Sequence, residues 1–126
     1  MISIGMEKRA DLSWPKKWRL RKSQDFRLVY NLGRRQVCRC IVLVWVPGVE
    51  RKTRVGLAAA RSLGTHVQRN RARRRLREIL RRHKERLPGG LDMVFIARPA
   101  LLEVSFEVAC REVLGALAHF SEGKMG

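Results

Sequence analysis

Residues 64–86, GTHVQRNRARRRLREILRRHKER, are the stretch around which the rest of the 126-residue chain is organised. They predict one long, very basic helix. Thr65 with Gln68 three residues later is a capping-box pattern, in which the hydroxyl and the amide each satisfy an otherwise unpaired backbone N–H. At the far end Leu87 is followed by Pro88-Gly89-Gly90, which cannot continue a helix. On a helical wheel Ala72, Leu76, Ile79, Leu80, His83 and Leu87 fall in one stripe, so the helix packs on something. The remaining arc is almost all arginine. Arg69, Arg73, Arg77 and Arg81 form a row at i,i+4 spacing, with Asn70, Arg71, Arg74, Arg75 and Arg82 beside it. Each like-charge neighbour costs an isolated helix about 0.2–0.5 kcal/mol, and within the stretch only Glu78 and Glu85 offset it. Such a row fits a polyanionic partner.

The whole chain agrees. A net charge of +17 narrows the partner to a nucleic acid, an anionic membrane or an acidic protein. The excess is arginine on a patterned helix, which suits forked contact with phosphates better than diffuse neutralisation. A membrane-surface helix favours a strong apolar face with aromatics, whereas this stripe is narrow and needed by the domain itself. The length fits one domain able to bury a real core. Cys38, Cys40 and Cys110 are an odd count without zinc-site spacing, and are expected to be reduced and mostly buried. The opening MISIGMEKRADLSW lacks the apolar run of a signal peptide, and no segment approaches the ~20 apolar residues that span a bilayer. The cytoplasm is the expected compartment, with no membrane as partner.

Outward from the helix, residues 1–19 read as a flexible basic arm carrying Trp14 and Trp18, residues 20–121 as the folded domain and 122–126 as a short tail. Residues 22–32 predict an amphipathic helix with Ser23 as its N-cap, Phe26, Val29 and Tyr30 on one face, and Gly33 as its stop. Residues 36–46 predict one strand covered on both faces, Cys38, Cys40, Val42, Val44 and Val46 pointing one way and Val37, Arg39, Ile41, Leu43 and Trp45 the other. Residues 51–60 predict a second strand returning by a hairpin through Pro47-Gly48, its run of small side chains letting something approach closely. Residues 91–97 give a third strand. Residues 105–120 give a last helix burying Phe106, Ala109, Val113 and Leu117. This order argues an α+β domain with a strand–helix–strand crossover about the basic helix.

A hydrolytic site within the chain finds no support. Metal-dependent hydrolysis needs clustered carboxylates, and Asp11, Asp25, Asp92, Glu103, Glu107 and Glu112 follow no such pattern. His66 and His83 lie 17 positions apart on one helix, too far to act as an acid–base pair. Any catalysis is expected to come from a partner.

Val55-Gly56-Leu57, Gly64, Val67-Gln68-Arg69-Asn70-Arg71, Arg73-Arg74 and Arg77-Glu78 together resemble the signature of the bacterial ribonuclease P protein subunit. Leu20-Arg21-Lys22-Ser23-Gln24-Asp25-Phe26 with Val29-Tyr30 and Gly33 resembles that family's first helix, and Val94-Phe95-Ile96-Ala97-Arg98-Pro99 its fourth strand and the following turn. The resemblance covers about residues 19–120. It implies an α+β single-domain sandwich, a four-stranded sheet with three helices and a left-handed βαβ crossover against the general rule, similar to a domain of a small-subunit ribosomal protein. It also implies an auxiliary subunit of an endoribonuclease: the ribonuclease P RNA performs Mg²⁺-dependent removal of the 5′ leader of precursor tRNA, and the protein, binding no cofactor of its own, contacts that RNA one to one and also the leader.

Carried over by matching position, the resemblance implies leader contacts at Phe26, Tyr30, Arg69, Asn70, Arg73 and Arg77, and contacts to the catalytic RNA at Arg71, Arg74, Arg75 and Arg81. Ordinary core packing stays open for Phe26 and Tyr30. Three positions depart from the family's pattern. Val44 stands where an aromatic is common, Ala60-Arg61-Ser62 where Ser-Lys-Lys is usual, and Arg73 where lysine is common. The alternative function is a structural RNA-binding protein such as a small ribosomal protein, sharing the charge and fold but not stimulating leader cleavage.

Overall fold

Four strands carry the core of the computed structural model, which describes residues 19–20, 22–48 and 52–123. They are β1 (Arg34–Val37), β2 (Ile41–Pro47), β3 (Arg54–Ala59) and β4 (Leu91–Ala97), in the sheet order β1-β2-β4-β3. The central β4 runs antiparallel to β2 and parallel to β3, which puts Leu43, Phe95 and Leu57 in one cross-strand row. All three are essentially inaccessible to solvent. Burial on both faces is why β4 reads as a nearly unbroken apolar run, LDMVFIA.

Helix α1 (Ser23–Leu32) covers one face of the sheet, burying Phe26 and Val29 over Val44, Val46 and Val94. The other face is covered by α2 (His66–Arg82) and α4 (Phe106–Gly123), with Ala72, Leu76, Ile79 and Leu80 of α2 and Ala109, Val113 and Leu117 of α4 packed against Leu43, Met93 and Phe95. A single-turn α3 (Ala100–Glu103) leads into α4. The result is α+β, with three long helices in two layers around a mixed sheet, as expected. The strand–helix–strand crossover is β3–α2–β4, joining parallel neighbours.

Gly56 fixes how closely α1 approaches. A Cβ there would sit 2.6 Å from two ring atoms of Phe26, so only glycine admits the aromatic ring against β3. Beside this contact Arg54 of β3 is held by Asp92 of β4 at 2.8 and 3.1 Å and reaches Asp25 of α1 at 3.7 Å. One guanidinium therefore ties three elements.

Several sequence expectations are corrected. Residues 36–46 are not one strand. The chain reverses between Val37 and Ile41, with the Cys38 N–H donating to the Ile41 carbonyl at 2.8 Å, and Arg98 clamps the turn through the carbonyls of Cys38 (2.6 Å) and Cys40 (2.9 Å). No glycine or proline marks this turn, so a contact from 60 residues away makes it. The reversal also breaks parity: Cys38 and Cys40 pack with Ile41 and Leu43, not with Val42 and Val44. The second expected strand does not form a hairpin with the first, because β4 lies between β2 and β3.

The basic helix is shorter than expected. Its α-helical part ends at Arg82, where His83 caps it by donating Nδ1–H to the Ile79 carbonyl at 2.9 Å, and a 3₁₀ turn, Lys84–Arg86, follows. Its start matches expectation, the reciprocal Thr65–Gln68 capping box being formed. Gly64 precedes it at φ 111°, a conformation that favours glycine. The expected arm up to residue 18, with Trp14 and Trp18, lies outside the described residues, but Arg19 and Leu20 belong to the domain. Arg19 bridges to Val55, and the Leu20 N–H donates to the Val55 carbonyl at 2.9 Å. At the other end α4 runs to Gly123, into the segment expected as tail.

Candidate nucleic-acid interface

The small residues ending β3 leave a gap that no large side chain fills. Ala58 and Ala59 floor it, Tyr30 of α1 stands on one side, and the first turns of α2 with the preceding 3₁₀ turn, Arg61–Leu63, stand on the other. The resulting open cleft of about 560 Å³ is lined by Tyr30, Ala58, Ala59, Arg61, His66, Arg69 and Arg73. Positions 66, 69 and 73 are spaced by three and four, which puts them on one face of α2.

Several arginines elsewhere in the fold are neutralised. Arg54, Arg39, Arg81 and Arg82 each have a carboxylate partner. Arg61, Arg69 and Arg73 form no ion pair with a described residue. Arg69 donates only to the Gly64 carbonyl, at 3.0 Å, and Arg73 to the Asn70 side-chain oxygen. Partial burial and the neighbouring Arg69 charge lower the Arg73 pKa, the direction expected where guanidiniums gather without a counter-charge. Burial pushes the Tyr30 phenol up, opposed by Arg35, so the ring keeps its hydroxyl proton at neutral pH. An apolar floor, a protonated phenol and unneutralised guanidiniums can receive a strand with flat bases and anionic linkages.

The expected leader residues divide. Tyr30, Arg69 and Arg73 line the cleft, and Asn70 orients Arg73 from beside it, its amide nitrogen 3.5 Å from His66 Nε2. Phe26 is instead a core residue, 3% exposed, set tilted against Tyr30 with ring centroids 6.3 Å apart, because Gly56 admits it against the sheet. Arg77 is 9% exposed and is not among the residues that line the cleft. Of the residues expected to meet the catalytic RNA, Arg71 and Arg74 are exposed. Arg75 Nη1 instead donates to the carbonyls of Leu101 and Val104, both at 2.8 Å, fastening α2 to the end of α3. Arg81 is bound by Glu78 at 2.6 and 3.2 Å.

Sequence reading missed His66, although its spacing from Arg69 and Arg73 was visible. Where Ala60-Arg61-Ser62 departs from the family pattern, Arg61 lines the cleft. Val44, the other departure, is fully buried beneath α1, and Trp45 faces the opposite side of the sheet with Phe120. The three thiols are free, and burial raises the pKa of each. Among the described residues no helix is long and apolar enough to cross a membrane, and no three His, Cys, Asp or Glu side chains gather as a metal site.

Comparison with known proteins agrees with this geometry. The family model for ribonuclease P matches residues 14–121. The chain is 41% identical over 90 residues to a ribonuclease P protein component of Chloroflexus aurantiacus, covering 71% of this chain and 67% of that one. Its fold is similar to RNase P protein from Thermotoga maritima, with a TM-score of 0.71 and 32% identity over 79% of this chain and 94% of that one. It is also similar to a Staphylococcus aureus RNase P protein mutant with defective mRNA degradation activity, with a TM-score of 0.75 and 26% identity over 84% and 90% of the two chains. A basic cleft on this mixed sheet, the signature along α2 and a family match over most of the chain lead to one conclusion: the chain belongs to the ribonuclease P protein family, the protein component of a bacterial endoribonuclease whose partner is the ribonuclease P RNA.

Proposed function

We propose that the cleft holds the 5′ leader of precursor tRNA while Arg71 and Arg74, facing further round α2, contact the ribonuclease P RNA, one protein to one RNA. The observation that carries this reading is the set of three guanidiniums, without carboxylate partners among the described residues, around Tyr30 and an alanine floor. Guanidiniums fork onto phosphates, and a base laid over Tyr30 contributes about 1–3 kcal/mol whatever its identity. That combination suits leaders of varied sequence. Phe26 supports Tyr30 from within the core, and Arg75 and Arg81 hold α2 and its charged face in place. The chemistry, including its Mg²⁺, is assigned to the RNA. Asp25 of α1 and Asp92 of β4 are both engaged by Arg54. The cytoplasm, where precursor tRNA is processed, is the proposed compartment.

The test is Arg69→Ala with Arg73→Ala in the assembled holoenzyme. Each charge-assisted contact is worth about 1.5 kcal/mol, roughly tenfold, so precursor affinity falls by tenfold or more while mature-tRNA affinity is little changed. Equal losses on both substrates would remove the leader assignment. Cleavage at low Mg²⁺ is expected from protein and RNA together, not from protein alone. Activity of the protein by itself would overturn the division of labour.

A further inference from the structure

A second recess lies at the opposite end of the sheet. Leu32, Arg34, Trp45, Leu91, His119 and Phe120 are among the residues enclosing about 840 Å³, and no carboxylate lines it among the described residues. Trp45 and Phe120 meet edge to face, centroids 4.9 Å apart at 79°, and His119 lies 5.5 Å from Phe120. Arg34 is paired with Trp45 across β1 and β2 and forms no ion pair with a described residue. The recess therefore joins open aromatic surface to an uncommitted cation, the two components that bind an unpaired nucleotide.

Its position decides which RNA. The cleft lies at the Ala59 and Ala97 end of the parallel pair, and the recess at the Leu91 end, roughly 20 Å away at about 3.3 Å per residue. Trp45 and Phe120 also belong to the sheet face covered by α2 and α4, whereas Tyr30 belongs to the α1 side. The two sites are therefore centred on opposite ends and faces of the sheet, with the last turn of α1 between them, Tyr30 at the cleft and Leu32 at the recess. We propose that the recess takes an unpaired nucleobase of the ribonuclease P RNA, stacked on Trp45 and Phe120 with a neighbouring phosphate on Arg34.

Trp45 reports on its own site. In a chain carrying Trp14→Phe and Trp18→Phe it is the one remaining indole, and its emission is expected to be quenched when the RNA subunit binds. Arg34→Ala with Phe120→Leu, which retains apolar cover, is expected to weaken RNA-subunit affinity roughly tenfold, with its thermal melt recorded as a folding control. Discrimination between precursor and mature tRNA by the assembled holoenzyme stays as in the unmodified protein. Unchanged Trp45 emission at saturating RNA overturns the proposal whatever the variants do to stability. A loss confined to leader-bearing substrate also overturns it, by assigning the recess to the leader. Neither result bears on the cleft, which is tested through Arg69 and Arg73.

Discussion

At the scale of single residues, the arginines are sorted by what their guanidiniums face. Arg54 is a tie between three elements and Arg75 a clamp on two carbonyls, whereas Arg61, Arg69 and Arg73 have charge left for a ligand. Composition cannot make that distinction, because it depends on where carboxylates and carbonyls arrive in space. Gly56 is equally decisive for the opposite reason, having no side chain at all. Gly56→Ala puts a Cβ into the Phe26 ring and is expected to destabilise the fold by about 1–3 kcal/mol, as overpacking does. Urea unfolding midpoints measure the loss. Leader affinity is expected to fall too, since Tyr30 moves with α1, and unchanged stability and affinity in the Gly56→Ala chain would refute the tight contact.

At the scale of the element, α2 is a helix whose surplus charge is partly neutralised along its own length. Glu78 accepts from Arg81 and Arg82, and these donors, Arg81 first, hold its carboxyl at about 2 instead of the usual 4.5. A depressed carboxylate stabilises the folded state above its unfolded pKa, and that contribution disappears as pH falls through the folded value. The stability difference between the native chain and Glu78→Gln is therefore expected to be largest above about pH 4.5 and to shrink towards pH 2. Chemical denaturation of both at a series of pH values reads this directly. Because Glu78 is partly exposed the difference is modest, and a difference that grows on acidification would contradict the assignment.

At the scale of the whole molecule, a charge of +17 is carried on more than one surface: the cleft, the exposed arc of α2 and the rim near Arg34. Binding to the ribonuclease P RNA is expected to weaken steeply with salt through counterion release. Arg69→Ala with Arg73→Ala removes two single-strand contacts and should lower the slope of log K against log salt by about 1.4 for precursor tRNA, at roughly 0.7 per phosphate. The slope for the RNA subunit is expected to stay the same. A common reduction in both slopes would mean that one surface serves both RNAs.

Local chemistry was legible in the sequence. The Thr65–Gln68 cap, the apolar stripe of α2, strand β4 and the buried side of α4 depend on spacing and on near neighbours, and they stand where the residues put them. The Arg69-Asn70-Arg71 segment likewise pointed to the family whose model matches the chain. Tertiary structure alone decided the reversal at Cys38–Cys40, which Arg98 imposes from a distance, and the insertion of β4 between β2 and β3. It also decided that Phe26 and Arg77 are buried while Arg61 and His66 line the cleft. The physical reason is the same in each case. Hydrogen bonds and side-chain periodicity within an element are set over a few residues, whereas strand order and the partner of each guanidinium are set by groups far apart in the chain that meet only once it has folded.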